Sequence, residues 1–148
     1  MSDINIRVAE EKDLEELKKL SSMWNDEDIT FGYGISSIEE IAEYDNWIAE
    51  KDDQIIGFLG GNTYSSSKMK SVMSENTMCF EIEEFYVVDE YRSLGVGSIL
   101  YDYVMNELKK INVSYVTLIA ANEDAEKLLN FYKKKDMKIH STRLFKEL

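Results

Sequence analysis

Arg92-Ser93-Leu94-Gly95-Val96-Gly97 is the stretch of this sequence best suited to grip a ligand. Its two glycines fall between a run that reads as a strand and a run that reads as a helix. Glycine tolerates positive φ and lets backbone approach a ligand closely. A helix that starts at such a turn points unpaired N–H groups back at it, and its dipole adds partial positive charge. Together they make an anion site suited to phosphate, with Arg92 adding a permanent charge at the rim. The same glycines would equally serve plain tight packing of strand on helix. Two other phosphate loops are excluded. A P-loop needs Gly-Lys-Ser or Gly-Lys-Thr, and a dinucleotide fingerprint needs a third glycine near Leu100; neither is present.

Just upstream, Phe80 to Val88 reads as a strand rich in aromatic and branched residues, and it carries Glu81, Glu83 and Glu84. Charges entering a layered core need partners or water. The three are therefore either surface groups of a partly exposed strand or candidates for proton transfer and cation binding. Alternation puts Glu81 and Glu83 on one face and Glu84 on the other. A bulge near Phe85 would change that aim. Cys79 is the only cysteine and His140 the only histidine, neither reads as a catalyst, and no metal site is expected.

The elements that position these groups follow from periodicity. Ile4 to Val8 alternates as a first strand. Asp13 offers a helix N-cap with Glu16 as capping-box partner, and Leu14, Leu17, Leu20 and Trp24 follow at helical spacing. Asn25 to Gly34 reads as a loop, and Ser36 or Ser37 can cap a short helix through Ile38, Ile41 and Tyr44. Trp47–Glu50 and Ile55–Gly60 read as strands joined by the polar turn 51–54. Tyr64 to Thr77 has no period and reads as a mobile loop. After the glycine turn, Leu100, Tyr103, Val104, Leu108 and Ile111 mark a helix of about four turns. Val113 to Ala120 reads as a buried strand, Ala125, Leu128, Leu129 and Tyr132 as a helix, and Lys138 to Leu148 as one or two closing strands. Strands alternating with helices predict an α/β layered domain with at least one parallel pair.

At 148 residues the chain fits one domain, 1–148, with a core large enough to fold without staples. A net charge of −12 argues against nucleic acid and anionic membrane as partners, since both need a positive face, and it suits a cationic substrate as well as plain solubility. No apolar run is long enough to span a bilayer and no secretory signal is seen. The single cysteine fits a reducing cytoplasm.

Ile82-Glu83-Glu84-Phe85-Tyr86-Val87-Val88-Asp89-Glu90-Tyr91-Arg92-Ser93-Leu94-Gly95-Val96-Gly97 resembles the central signature of the GNAT acetyltransferases: a strand ending in an aromatic-Val pair, an acidic turn, then Arg/Gln-x-x-Gly-x-Gly/Ala opening a helix. Asn130-Phe131-Tyr132-Lys133 resembles the family's late helix, and the nearest likeness is to diamine and polyamine acetyltransferases. The resemblance implies a mixed, mostly antiparallel sheet with helices on both faces and a parallel fourth and fifth strand splayed at the cofactor, acetyl-CoA. It implies that amides of Leu94, Gly95, Val96, Gly97 and Ser98, with Arg92 and Ser93 beside them, hold the pyrophosphate. Backbone groups of Phe85, Tyr86 and Val87 would pair with the pantetheine arm. Homodimers are common in the family.

Acetyl transfer to an amine has three demands. An ammonium of pKa about 10.4 must lose its proton, the thioester carbonyl must be polarised, and the departing thiolate is best protonated. The resemblance assigns Glu83 as base, directly or through a water, Glu84 as a binder of the cationic amine, and Tyr132 as acid; Glu81 is an alternate base. Tyr132 also falls on the apolar stripe of its helix and would serve as core. The acceptor, a small cationic primary amine, would meet Trp24, Asp26, Glu27, Asp28, Phe31 and Tyr33, where acids and aromatics could hold a cation or form a solvated loop. Two departures stand out. The family's asparagine, a cofactor contact, lies about seven residues before the tyrosine, where this chain has Ala125; Asn122, ten before it, is the candidate for that contact, and the usual Gly-Phe after the helix is Asp136-Met137. A catalytically inactive coenzyme A-binding module is the alternative reading.

Overall fold

The computed structural model describes residues 3–30, 36–66 and 73–148. Asn5–Val8 (β1), Asp45–Lys51 (β2), Gln54–Ser65 (β3), Met78–Val87 (β4) and Tyr115–Leu118 (β5) pair in sequence order into one sheet. Neighbours run antiparallel except β4 and β5, which are parallel. A parallel pair needs a long crossover, and the helix Val96–Lys110 (α3) supplies it. The other helices are Leu14–Asp26 (α1), Ile38–Glu43 (α2) and Ala125–Lys133 (α4). The mixed α/β sheet with its parallel β4–β5 pair is the architecture the sequence predicts. No helix among the described residues is long and apolar enough to cross a membrane.

Alternation divides the core between the two sides of the sheet. Trp47, Ala49, Leu59, Phe80 and Ile82 pack with Val96, Leu100, Val104, Leu108 and Tyr132. Ile48, Phe58 and Tyr86 pack on the other side with Leu17, Leu20 and Ile41. Between β2 and β3, Asp52 (φ 49°) and Asp53 (φ 59°) both take the left-handed conformation that a tight two-residue hairpin requires and that aspartate tolerates.

A bulge in β4 changes the aim of the strand. Gly61 pairs with Ile82 but Gly60 pairs with Glu84, so Glu83 is an extra residue. Phe80 and Ile82 face α3 before it; Phe85 and Val87 face α3 after it, and Tyr86 turns to α1. Simple alternation would have sent Glu84 and Tyr86 to the α3 side. Gly61 is needed here because a Cβ on it would lie 1.9 Å from the Glu81 carbonyl oxygen.

Several local expectations are corrected. Asp13 does not cap α1 with Glu16; it ends a 3-10 turn, Glu11–Asp13, and accepts from the Glu10 N–H and from Arg7. The ion pair outcompetes the local cap. Ser37 caps α2 with Glu40 as expected. Helix α3 begins at Val96, so Gly97 is helical and not part of the turn. Strand β3 extends to Ser65, through residues expected to be loop, because Tyr64 pairs with Cys79 and its hydroxyl bonds Thr117 at 2.8 Å. The rest of that expected loop falls partly on residues 67–72, outside the described residues. Only Tyr115–Leu118 of the expected strand 113–120 pairs, and it is half-buried because one edge has no neighbour. Residues 138–148 form no strand, and Leu144, Phe145 and Leu148 are exposed. Strand propensity without a paired neighbour makes no ladder.

Candidate active site

The glycine turn starts from chain geometry. Ser93 has φ 61° and Gly95 has φ 86°, and an added Cβ on Gly95 would meet nothing within 4 Å. Glycine is therefore required by conformation, and the space above it is open. The Ile99 N–H is the one that bonds back to the Gly95 carbonyl, at 3.0 Å. The N–H groups of Val96, Gly97 and Ser98 precede it in the first turn, where an α-helix offers no internal acceptor. An ideal Cβ on Gly97 lies 3.5 Å from the Phe85 ring, ordinary contact that seats the helix start on the end of β4. The cradle fits a phosphate group by donor type and by room.

The Arg92 guanidinium is engaged by other protein groups. Its Nε donates to the Val87 carbonyl at 2.8 Å, and its Nη2 donates to Glu27 Oε2 at 2.7 Å, completing a bidentate pair with Glu27. The guanidinium lies 5.2 Å from the centre of the Tyr86 ring, and the Trp24 ring lies 5.9 Å from the same ring at a 30° tilt. Arg92 holds the Glu27 carboxyl below its ordinary range, and burial with Glu27 alongside pushes the Tyr86 hydroxyl up to about 12. Glu27, expected to meet the acceptor, is thus neutralised by Arg92, expected to meet the cofactor. Trp24 is half-buried beside them and Asp26 is exposed; Phe31 and Tyr33 lie outside the described residues.

The cation that reaches the first turn of α3 is Lys135, which sequence reasoning missed. Its Nζ donates to Ser98 Oγ at 2.5 Å and to both Asp102 carboxylate oxygens at 2.8 Å, over the Tyr101 ring. No local pattern could have revealed it, because only packing of the segment after α4 on α3 brings it there.

Pairing explains how the strands part. β5 pairs with β4 only from Cys79 to Ile82, while β3 pairs with β4 as far as Val87. From Glu83 onward, no strand among the described residues pairs with β4 on its β5 side. Glu83 stands at that fork and is exposed. Partial burial and the neighbouring Glu81 raise its pKa. Glu81 is half-buried. Glu84 is 4% exposed, and its Oε1 accepts from Ser21 Oγ at 2.7 Å and Ser36 Oγ at 3.0 Å. Burial raises its pKa as well. The bulge therefore sends Glu84 under α1, where it is buried on the two serine hydroxyls.

Tyr132 is buried among Tyr101 (6.4 Å) and Phe131 (5.2 Å), and Phe131 in turn meets Phe85 at 6.0 Å. Burial, with Tyr101 beside it, raises the Tyr132 pKa, so its hydroxyl keeps its proton. Asn122 Oδ1 accepts from the Asp124 N–H at 2.8 Å and so orders the approach to α4. Asp136 takes φ 61°, with the Met137 N–H bonded to the Tyr132 carbonyl at 3.1 Å. Asp136 thus fills a left-handed position that usually takes glycine, and Met137 packs on the core, so the unusual pair preserves the helix ending. A cleft of about 460 Å³ runs along α4 past Lys127, Asn130, Phe131 and Lys134. A larger one of about 650 Å³ is lined by Arg7, Glu16 and Glu50 and reaches Val88, Glu90 and Tyr91, just before the glycine turn.

Comparison with known proteins adds to this geometry. No curated protein sequence matches the chain. Among solved structures it is similar to a Trypanosoma brucei acetyltransferase (20% identity, 99% of this chain and 100% of that one, TM-score 0.70). It is also similar to a predicted acetyltransferase from Clostridium acetobutylicum solved with acetyl-CoA (20%, 97% and 96%, 0.72). An aminoglycoside acetyltransferase from an uncultured soil metagenomic sample, in complex with sisomicin, is similar at 14% (98% and 96%, 0.71). At such identity these likenesses speak to the fold alone. The model of the Acetyltransferase (GNAT) family matches residues 11–137, which contain the glycine turn, the bulged strand and α4, and the chain belongs to that family of acetyl-CoA-dependent enzymes.

Proposed function

We propose that this protein transfers the acetyl group of acetyl-CoA to a small cationic primary amine by direct attack in a ternary complex, in the cytoplasm. The observation that carries the reading is the fork at Glu83. There β4 leaves β5, an exposed carboxylate of raised pKa stands at the opening, and the open N-terminus of α3 follows on the same chain. Backbone amides of Leu94 to Ser98 hold the pyrophosphate, with Ser93 at the turn and the Ser98 hydroxyl positioned by Lys135, which is paired with Asp102. The unpaired side of Phe85, Tyr86 and Val87 offers backbone groups to the pantetheine arm. Acetyl-CoA supplies the activated thioester.

The chain supplies proton transfer and orientation. Glu83 takes the proton that the ammonium must lose, directly or through one water, and its raised pKa makes it a better base than an ordinary glutamate. Glu81 is close enough to raise that pKa and is the alternate base. Tyr132, protonated across the working range, serves as the acid for the leaving thiolate. Asp26, Trp24 and the net charge of −12 favour a cationic acceptor, with sisomicin, bound by a neighbour of the same fold, as one example of the class. Asn122, whose Oδ1 orders the turn before α4, is left with its amide N–H groups for a cofactor contact.

The test is thiol release from acetyl-CoA with a panel of diamines, polyamines and aminoglycosides, beside thermal stabilisation by coenzyme A. Turnover on the cationic amines supports the reading. Stabilisation without turnover on any amine identifies an inactive coenzyme A-binding module instead. Activity confined to uncharged or peptide amines removes the substrate class.

A further inference from the structure

Among the described residues two buried side-chain atoms have no hydrogen-bond partner, Glu84 Oε2 and Asn46 Oδ1. They belong to residues on either side of one glycine. Asn46 pairs with Gly60 across β2 and β3, and Gly60 pairs with Glu84 across β3 and β4. Directly paired residues share a face, so the two side chains flank the missing side chain of Gly60. Asn46 leans into that gap, since a Cβ on Gly60 would lie 2.0 Å from its Oδ1.

Neither group can solve its problem alone. Asn46 Nδ2 already donates to the Ile41 carbonyl at 2.8 Å and the Tyr44 carbonyl at 3.1 Å, so flipping the amide would set an oxygen against two oxygens. Glu84 Oε1 already accepts from the two serine hydroxyls. What remains is two buried acceptors and no donor, a costly arrangement in a low-dielectric interior. A single hydrogen satisfies both.

We propose that Glu84 is held as a neutral carboxylic acid whose O–H donates to Asn46 Oδ1 across Gly60. No charge is then buried. The surroundings agree with this. Burial, first of all, and Glu40 on α2 disfavour a charge on Glu84 and outweigh the Ser21 and Ser36 bonds and the Lys18 ammonium on α1, which favour it. That ammonium is itself occupied by the Ser36 carbonyl at 2.9 Å, and Tyr44 faces both Glu83 and Glu84. Glu84 acts as a positioning residue. It ties α1, through Ser21, and the entry to α2, through Ser36, to the bulge that presents Glu83. That consequence for catalysis rests on the role proposed for Glu83; the protonation state does not.

The experiment uses the whole protein with ¹³C-carboxyl-labelled glutamate and the isotope-shifted infrared C=O stretch of a protonated carboxyl. At pH 7 the wild type is expected to show one such band, lost in Glu84→Gln. Absence of the band at pH 7 overturns the proposal. In Glu84→Gln the amide oxygen can accept from the serines while its N–H donates to Asn46, so the variant should fold and melt at or above the wild-type temperature. The sign follows from a folded pKa raised above the unfolded one. Stability from the neutral acid is full below the unfolded glutamate value and is lost as pH rises through the folded value. The Tm difference, Glu84→Gln minus wild type, should therefore grow as pH rises above about 4.3. A difference that shrinks with pH overturns the proposal, and so does a variant several-fold worse in amine KM with unchanged Tm, the signature of a charged amine binder.

Discussion

Two groups of carboxylates on this sheet are treated in opposite ways. Near β1, Asp13 and Glu50 share Arg7, which donates to Asp13 at 2.8 and 3.0 Å and to Glu50 at 2.7 and 3.0 Å. Both carboxyls are held below their ordinary range by that guanidinium. On β4, no lysine or arginine among the described residues pairs with Glu81, Glu83 or Glu84, and Glu83 and Glu84 are pushed the other way by burial and by neighbouring acids. The first group ties β1, β2 and the approach to α1 together. In the second, Glu84 is sealed under α1, while Glu81 and Glu83 are left without a counter-charge at the fork where a cationic substrate could supply one. A charge-balanced cluster reads as structure, and a charge-frustrated one beside an opening reads as a site.

The comparison can be broken most sharply at Glu83. Glu83→Gln is expected to lower kcat about 10²- to 10⁴-fold with little change in Tm, measured by thiol release and thermal melting. In the wild type, activity should rise with pH through the raised pKa of Glu83, because the base must be deprotonated; a flat profile together with an active Glu83→Gln transfers the role to Glu81. At the balanced cluster the expected outcome is reversed. Arg7→Met should cost about 2–3 kcal/mol in urea unfolding, because it strands partly buried carboxylates, and leave kcat nearly unchanged. The folded pKa values of Asp13 and Glu50 are depressed, so their contribution is present above the unfolded values near 4 and is lost as pH falls through the folded ones. Arg7→Met should remove that acid-side loss.

Smaller effects refine the boundary between the two kinds of cluster. Arg92→Met breaks a pair that is balanced yet adjoins the site. It should cost about 1–2 kcal/mol and raise the acceptor KM more than it changes coenzyme A affinity, since the guanidinium holds Glu27 and Tyr86 and not the glycine turn. Binding of coenzyme A lost in proportion to stability would return Arg92 to the cofactor rim. Gly95→Ala should cost about 1 kcal/mol from the left-handed φ and should blunt thermal stabilisation by coenzyme A; unchanged stabilisation would exclude the turn as the phosphate cradle.

Much of this was legible in one dimension. Helix and strand periods, Ser37 as a cap and the glycine turn depend on neighbours within a few residues, and short-range sterics and hydrogen bonds decide them. The resemblance that pointed to the family lies in one unbroken run, Ile82 to Gly97, and the matching family model contains it. Asp136-Met137 looked like a departure and turned out to be a substitution that keeps the backbone conformation, because aspartate can take φ 61°.

What the sequence alone could not decide was which groups meet. Glu27 and Arg92 are far apart in the chain and were assigned to different ligands; folding α1 against the end of β4 makes them partners. Lys135 reaches Ser98 only because the end of α4 docks on α3. The three β4 glutamates were readable as a set, but their aims depend on one extra residue in a ladder whose register is set by β3, with Gly61 permitting the close backbone approach. Residue types and their local order settled that a phosphate turn and a carboxylate strand exist in this chain. Long-range pairing and burial, which act between segments and have no local signature, decided which carboxylate faces the opening and which is sealed beneath α1.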